Sequence, residues 1–451
     1  MKRTTILLAL VCTVLGGCGD ASRRDAGRNL LLIAVDTLRA DHLGAYGYER
    51  PTSPAIDRLF AFSIVFEDAH SSSSWTLPAF ASLMTSTYSS THRCWQFDNF
   101  LESSFTTLAE LMSDAGYHTA AIVSHIFLGR KYGLNQGFVE YDDSLVQSNL
   151  EDSHMAITSS VITDRALAFL KRESERSDGR PWFLWTHYFD PHIFYQPHEE
   201  FAEQFGRFRP LDRYDGEIAY TDLHIGRLLE YLEESDFAQN TVVVFVADHG
   251  EEFMDHGGME HGKSLFREVE RVPFAVRVPG LDPRKVTQPV RGVDLMPTLL
   301  DLLDVETGPL PMAGRSLLAL MKGSGMPDEG VLMESRLDQL PNAVLEGYIL
   351  GKWKLILQTP RREDLGKRPA VFLFDRTQDP TEQVNLAQGN DEIVGKLAKL
   401  MRKNVNDAAD VAHLFQGKGG QLALSADELE RLRELGYLDY ADPQDEKDGD
   451  R

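Results

Sequence analysis

The sequence predicts an α/β fold built on a large, mainly parallel sheet with helices on its faces, and three observations lead there. The runs Asn29 to Val35 (NLLLIAV) and Thr241 to Val246 (TVVVFV) are continuously apolar rather than alternating, as strands covered on both faces must be. Helical spacing precedes strand-like segments: Leu108, Leu111, Met112 and Ala115 lead to His118 to Val123, and Ile218, Ile225, Leu229 and Leu232 lead to Thr241. Both long apolar runs stop abruptly, at Asp36-Thr37 and Asp248-His249, and ligands of parallel sheets sit beyond the carboxyl ends of the strands.

The elements follow in order. Gly116 ends the first helical pattern, and Trp182 to Thr186 and Phe274 to Val278 supply further strands, so residues 29–310 read as one sheet domain. After residue 310 the character changes. Tyr348 to Leu357 reads as a hairpin turning at Gly351-Lys352, and Val371 to Phe374 adds a short strand, giving a smaller domain over 311–440 with an antiparallel sheet. Asp379-Pro380 and Asn385-Leu386 read as turns within it. Ser425 with Glu428 forms a capping-box pattern, Leu429 and Leu432 an apolar stripe, and Gly436 a C-terminal stop. The acidic residues 441–451 read as a disordered tail.

The 451 residues suffice for one large core and a smaller unit, with the 42% hydrophobic and 25% charged content of a globular protein. A formal charge of −23 makes nucleic acid a poor partner. At the N-terminus, Lys2 and Arg3 precede an apolar stretch, Ile6 to Leu15, too short to span a bilayer, so residues 1–18 read as a secretory leader. Leu15-Gly16-Gly17-Cys18 resembles the lipobox of bacterial lipoproteins, which implies lipidation at Cys18 and residues 19–28 as a tether. The expected location is the bacterial cell envelope, exported and lipid-anchored, facing the periplasm or the cell surface. With Cys12 removed and Cys18 acylated, Cys94 has no partner and is expected in the core.

Three segments carry chemistry: Asp36, the stretch Ser71 to Ser86 (SSSSWTLPAFASLMTS), and Asp248-His249 with His256 and His261 downstream. A lone carboxylate or histidine at a strand end serves as a cap or turn residue. Here two strands end in metal-competent ligands on what should be one edge of the sheet.

VDTLRADHLGAYGY at Val35 to Tyr48 and VADHGEEFMDHG at Val246 to Gly257 resemble the opening and later metal motifs of the sulfatase family, within the alkaline-phosphatase superfamily. HGKSLFREVERVPF at His261 to Phe274, VDLMPTLLDLL at Val293 to Leu303 and LFDRTQDPTEQVNLA at Leu373 to Ala387 extend the resemblance over most of the chain. It implies a metal held by Asp36, Thr76, Asp248 and His249, with Thr76 at the position of the nucleophile. Sulfatases place an oxidised cysteine or serine there, within Cys/Ser-x-Pro-x-Arg. This chain reads Thr76-Leu77-Pro78-Ala79-Phe80, and threonine cannot become the aldehyde. Threonine resembles instead the phosphodiesterases, phosphonate hydrolases and phosphoglycerol or phosphoethanolamine transferases of the superfamily.

THYFDPH at Thr186 to His192 resembles the family's Pro-His segment, making His192 the candidate proton donor and His187 and His261 candidate contacts for substrate oxygens. Lys263 reads as a surface charge. Thr37 replaces a second aspartate common in sulfatases, so manganese, zinc or magnesium fits better than calcium as the one divalent ion. A second metal, on His187, Asp190, His192 or His261, is left open. The expected partner is an anionic ester, whether a sulfated or phosphorylated sugar, a lipid head group or a small molecule. Three functions follow: a phosphoester hydrolase or transferase acting through Thr76, a sulfate-ester hydrolase using metal-bound water, or a non-catalytic binding protein.

Overall fold

The structure, a computed structural model, describes residues 27–148, 158–337, 344–360, 369–415 and 419–434. Cys18, nearly all of the tether, Gly436 and the acidic tail lie outside the described residues.

The main sheet has eight strands: β1 (Asn29–Val35), β2 (Ile64–Phe66), β3 (His118–Ile122), β4 (Glu140–Asp142), β5 (Trp182–Tyr188), β6 (Thr241–Ala247), β7 (Phe274–Arg277) and β8 (Arg284–Val286). Their spatial order is β8-β2-β7-β6-β1-β5-β3-β4. β1 lies centrally, parallel to both β5 and β6, and β7 alone runs antiparallel to its neighbours. The expected mainly parallel α/β sheet is therefore present.

Every residue of β1, β5 and β6 is buried, which explains their unbroken apolar sequences. Leu31 is wholly buried in that layer, and truncating it to alanine should cost about 2–5 kcal/mol. The helices of this body include α1 (Thr76–Thr85), α2 (Leu108–Asp114), α3 (Ser159–Ser174) and α4 (Pro210–Glu234). α2 begins with a Thr107–Glu110 capping box, and the chain leaves it through Gly116 at φ +93°, the left-handed conformation that glycine adopts without strain.

The second unit is an antiparallel four-stranded sheet, β9 (Val331–Arg336), β10 (Val344–Leu350), β11 (Trp353–Thr359) and β12 (Ala370–Asp375), paired in chain order. Helix α5 (Asp391–Val411) covers one face through Leu397 and Met401. The boundary expected at residue 310 shifts, because Leu317, Leu320 and Met321 still pack into the main core. The last described helix, α6 (Ala426–Glu434), also returns to the main body, where Leu432 is buried, so the smaller domain does not run unbroken to residue 440. Among the described residues, no helix is long and apolar enough to cross a membrane.

Candidate active site

The register of the central strands assembles the site. Val35 lies level with Tyr188 on one side and Ala247 on the other, so Asp36, the segment after Tyr188 and Asp248-His249 leave the sheet side by side. The Asp36 amide donates to the Tyr188 carbonyl at 2.9 Å. His187 lies opposite Ala34, two residues before Asp36 and thus on the same face.

After His249 the chain turns through Gly250, whose amide donates to the Val269 carbonyl at 2.6 Å. A Cβ there would stand 2.0 Å from the Glu268 carbonyl oxygen, so only glycine permits this approach. A short hairpin then brings His261 back, and the Gly262 amide donates to the Ser74 carbonyl at 2.8 Å, two residues before Thr76.

Thr76 is the first residue of α1, where unpaired amides and the helix dipole favour negative charge. Pro78 falls in the first turn, where its missing N–H costs nothing. The Thr76 Oγ1 lies 3.3 Å from His249 Nε2. Asp36, Thr76 and His249 are completely buried, and Asp248 is 1% exposed.

One trio among the described residues brings three potential ligand atoms within 4.8 Å of one another, and it is Asp36, Asp248 and His249. Neither oxygen of Asp36 has a hydrogen-bond partner, and Asp248 lacks one at Oδ2 while its Oδ1 accepts the His249 amide at 2.9 Å. Buried carboxylate oxygens left bare are costly. The donor set therefore fits a divalent cation. Burial pushes Asp36 up to about 7 against the pull of His249, and burial with the neighbouring Asp36 charge pushes Asp248 up to about 7. His249 is raised as well, because although burial opposes its charge, Asp248 and Asp36 favour the protonated ring.

Hydrogen bonds to the backbone fix the imidazole tautomers. The Nδ1 atoms of His249 and His192 each face a carbonyl at 3.0 Å, of Gly250 and Ile193, so each carries its proton on Nδ1 and turns a bare Nε2 inward when neutral. His192 is thus not a resting acid. It must receive a proton before it donates one, and burial followed by the charge of His261 holds its pKa well down. His187 Nε2 lies 3.4 Å from Asp36 Oδ2, and burial lowers its pKa to about 4. His261 lies tilted against His249 and edge-on to His192, with ring centroids at 4.5 and 4.9 Å. All seven site residues expected from the sequence therefore converge on one region.

Others do not. His256 pairs with Glu268 at 2.6 Å and the Glu382 carbonyl at 2.9 Å. Asp190, considered for a second metal, is consumed by Thr158 and Ser159 at the start of α3. Lys263 is exposed and paired with Glu260 at 2.7 Å, as expected of a surface charge. Cys94 is buried and free, and burial raises its thiol.

Three features escaped sequence reasoning. His125 sits 3.9 Å from Asp36 Oδ2, and its Nδ1 accepts the Phe127 amide, so the neutral ring presents its N–H at Nε2. The strand-end rule could have found it, since it follows β3 by three residues. Glu251, fully buried, holds His261 Nδ1 at 3.0 Å. Thr37 has φ +51°, a strained conformation for a β-branched residue, beside the first metal-competent carboxylate.

These features place a candidate metal site, Asp36, Asp248 and His249, beyond the strand ends of an α/β sheet. The sulfatase family model matches residues 28–305, and the chain belongs to the sulfatase family, as a sulfatase-like ester hydrolase. Among curated relatives, the Escherichia coli (strain K12) protein named "Uncharacterized sulfatase YidJ" is 24% identical over 426 residues, covering 79% of this chain and 82% of its own. The choline-sulfatase of Rhizobium meliloti (strain 1021) is 25% identical over 433 residues, covering 80% and 82%. The solved phosphonate monoester hydrolase of Agrobacterium radiobacter superposes with a TM-score of 0.68 at 19% identity, over 84% of this chain and 96% of that one.

Proposed function

We propose that the protein is a divalent-metal-dependent hydrolase or transferase of the cell envelope that cleaves a phosphate ester, with Thr76 as nucleophile and a lipid on Cys18 as anchor. The observation that carries this reading is the Thr76 hydroxyl, at a helix N-terminus, 3.3 Å from His249 Nε2 and among carboxylate oxygens that no protein group satisfies.

Asp36, Thr76, Asp248 and His249 would hold the ion, which when bound lowers the pKa of the hydroxyl and polarises the ester. Two carboxylates, one imidazole and Thr37 in place of a further acid favour manganese, zinc or magnesium over calcium. Thr76 Oγ1 forms the bond to phosphorus while the bond from phosphorus to the leaving oxygen breaks. His192, protonated at its bare Nε2, gives that proton to the leaving oxygen while the proton lost by Thr76 balances it, so the alcohol departs neutral. Water, or an acceptor alcohol, then attacks the phosphothreonine and restores Thr76. His187 and His261 line the space for the non-bridging oxygens, and Glu251 fixes the ring of His261. The amide groups at the start of α1 favour the negative charge on the attacking oxygen.

A second reading, sulfate-ester hydrolysis with water as nucleophile and Thr76 as a bystander, is favoured by the names of the relatives. Turnover of paired chromogenic phosphate monoester, phosphate diester and sulfate ester, with and without manganese, separates the two. Cleavage of the phosphate compounds, abolished in Thr76→Ala, is expected. Cleavage of the sulfate compound alone would replace this reading with the second.

A further inference from the structure

The two ends of β1 have opposite duties, and their separation bears on the substrate. Gly27 and Arg28 are exposed at the amino edge of the sheet, where the Gly27 carbonyl accepts from Asn240 at 3.3 Å and the Asn29 amide donates to the Asn240 carbonyl at 2.8 Å. The site lies at the other edge. The seven residues of β1 span about 23 Å at ~3.3 Å each, and because the site residues are themselves buried, the rim lies farther still.

From Cys18 to Gly27 there are nine residue steps. At no more than ~3.6 Å per step they reach about 32 Å even when fully extended. A compact body of this length has a radius of gyration of about 22 Å and is therefore about 58 Å across. To press the rim against the bilayer that holds Cys18, the connection would have to run the full height of the body, and it is too short by roughly 25 Å.

Resting on the acylated Cys18 and the ester chemistry proposed above, we infer that the substrate is a water-borne anionic ester, on a soluble molecule or polymer, and not a lipid head group of the leaflet that anchors the protein. The three partner classes left open by the sequence thereby reduce to two. The site faces away from its own membrane.

The test uses the acylated full-length chain in dilute phosphatidylcholine vesicles, with two substrates bearing one chromophore: soluble bis(4-nitrophenyl) phosphate, and phosphatidyl-4-nitrophenol in the same bilayer. The lipid substrate is also offered in detergent micelles to the chain lacking its leader. Expected is turnover of the soluble and micellar esters, with the same-bilayer ester at least 50-fold slower. Inserting about forty Gly/Ser residues between Asp20 and Ala21, which raises the r.m.s. span to roughly 40 Å, should restore it. Equal same-bilayer turnover with the native and lengthened connections would overturn the inference, as would a lengthened variant that still fails on a lipid cleaved in micelles.

A readout independent of activity keeps the two proposals apart. A donor dye on Met254→Cys, an exposed position in the hairpin that leads to His261, should show little energy transfer to acceptor-labelled lipid in the host vesicle. Strong transfer, or a mass spectrum showing Cys18 unacylated, overturns the inference whatever the enzyme cleaves. Loss of turnover in all three presentations with weak transfer would count instead against the proposed chemistry, leaving the orientation standing.

Discussion

Two clusters of buried charge in this molecule look alike in composition and differ in completeness. Between the main body and the antiparallel sheet, the fully buried Lys354 bridges Glu270 at 2.8 Å and Glu382 at 2.9 Å. Glu270 in turn binds His70, and His70 binds Asp68 at 2.9 Å, with Arg376 also on Asp68. Each of these charges has an opposite neighbour. At the carboxyl edge of the sheet, Asp36 and Asp248 are buried with imidazoles as the nearest groups of opposite charge, and their oxygens remain partly bare. The paired cluster joins two units; the unpaired one leaves carboxylate oxygens open, as the proposed cation requires. What distinguishes function from architecture here is the missing partner, not the burial.

The largest expected effect that sharpens this contrast is at Thr76. Thr76→Ala should reduce kcat by about 10³-fold or more with unchanged melting temperature, and Thr76→Ser should recover much of the loss, as steady-state kinetics on the phosphate diester would reveal. A Thr76→Ala enzyme of near-normal rate would mean that the hydroxyl is a bystander.

Next comes the paired cluster. Lys354→Met leaves Glu270 and Glu382 buried without their ammonium, and should cost about 3–5 kcal/mol in urea unfolding while manganese affinity by calorimetry stays unchanged. The opposite response is expected in the unpaired cluster. Asp248→Asn should abolish tight manganese binding yet stabilise the metal-free protein, by on the order of 2 kcal/mol, because it removes one of two like charges forced together. If both substitutions destabilise equally, the two clusters are not different in kind.

Titration separates them further, with smaller effects. Asp36 and Asp248 are both pushed up to about 7 in the metal-free protein, and both must lose their protons to bind a cation, so manganese affinity should rise as the pH climbs through about 7. In the paired cluster, burial opposes the Glu270 charge, but His70 and Lys354 hold its pKa below the ordinary value. Its contribution to stability is present above the unfolded-state value near 4.5 and is lost as the pH falls through the lower folded value. His70 is raised, chiefly by Glu270 and Asp68 against the opposing effect of burial, so its contribution is present below 6.5 and lost as the pH rises through its folded value. Stability should therefore peak between these limits, and Lys354→Met should blunt the acid limb. A flat stability profile would contradict the pairing.

The same contrast explains what could be read in the sequence. β1 and β6 were legible because strands buried on both faces must be apolar throughout, and the abrupt Asp36 and Asp248 after them marked the edge. The three-residue strands β2, β4 and β8 are too short to carry a pattern, and nothing in Phe274–Arg277 tells that it runs antiparallel. Helix α5 went unread because its buried positions, Leu397, Met401 and Ala408, are sparse among charged residues. Of the site, the metal-competent trio and Thr76 were legible through motif and strand end together. His125 lay within reach of the strand-end rule but in no motif, and Glu251 acquires its role only from its contact with His261. The division at residue 310 failed because the apolar residues just after it return to the first core.

The central claim, that Thr76 is the nucleophile of a metal-assisted ester cleavage, is tested most directly by rapid quenching of the manganese-loaded enzyme during turnover of a phosphate diester, followed by peptide mass spectrometry. A transient phosphate-ester adduct on the peptide containing Thr76, formed and lost at rates compatible with kcat, is the expected result. Turnover with no adduct at Thr76, or with an adduct on another side chain, would contradict it.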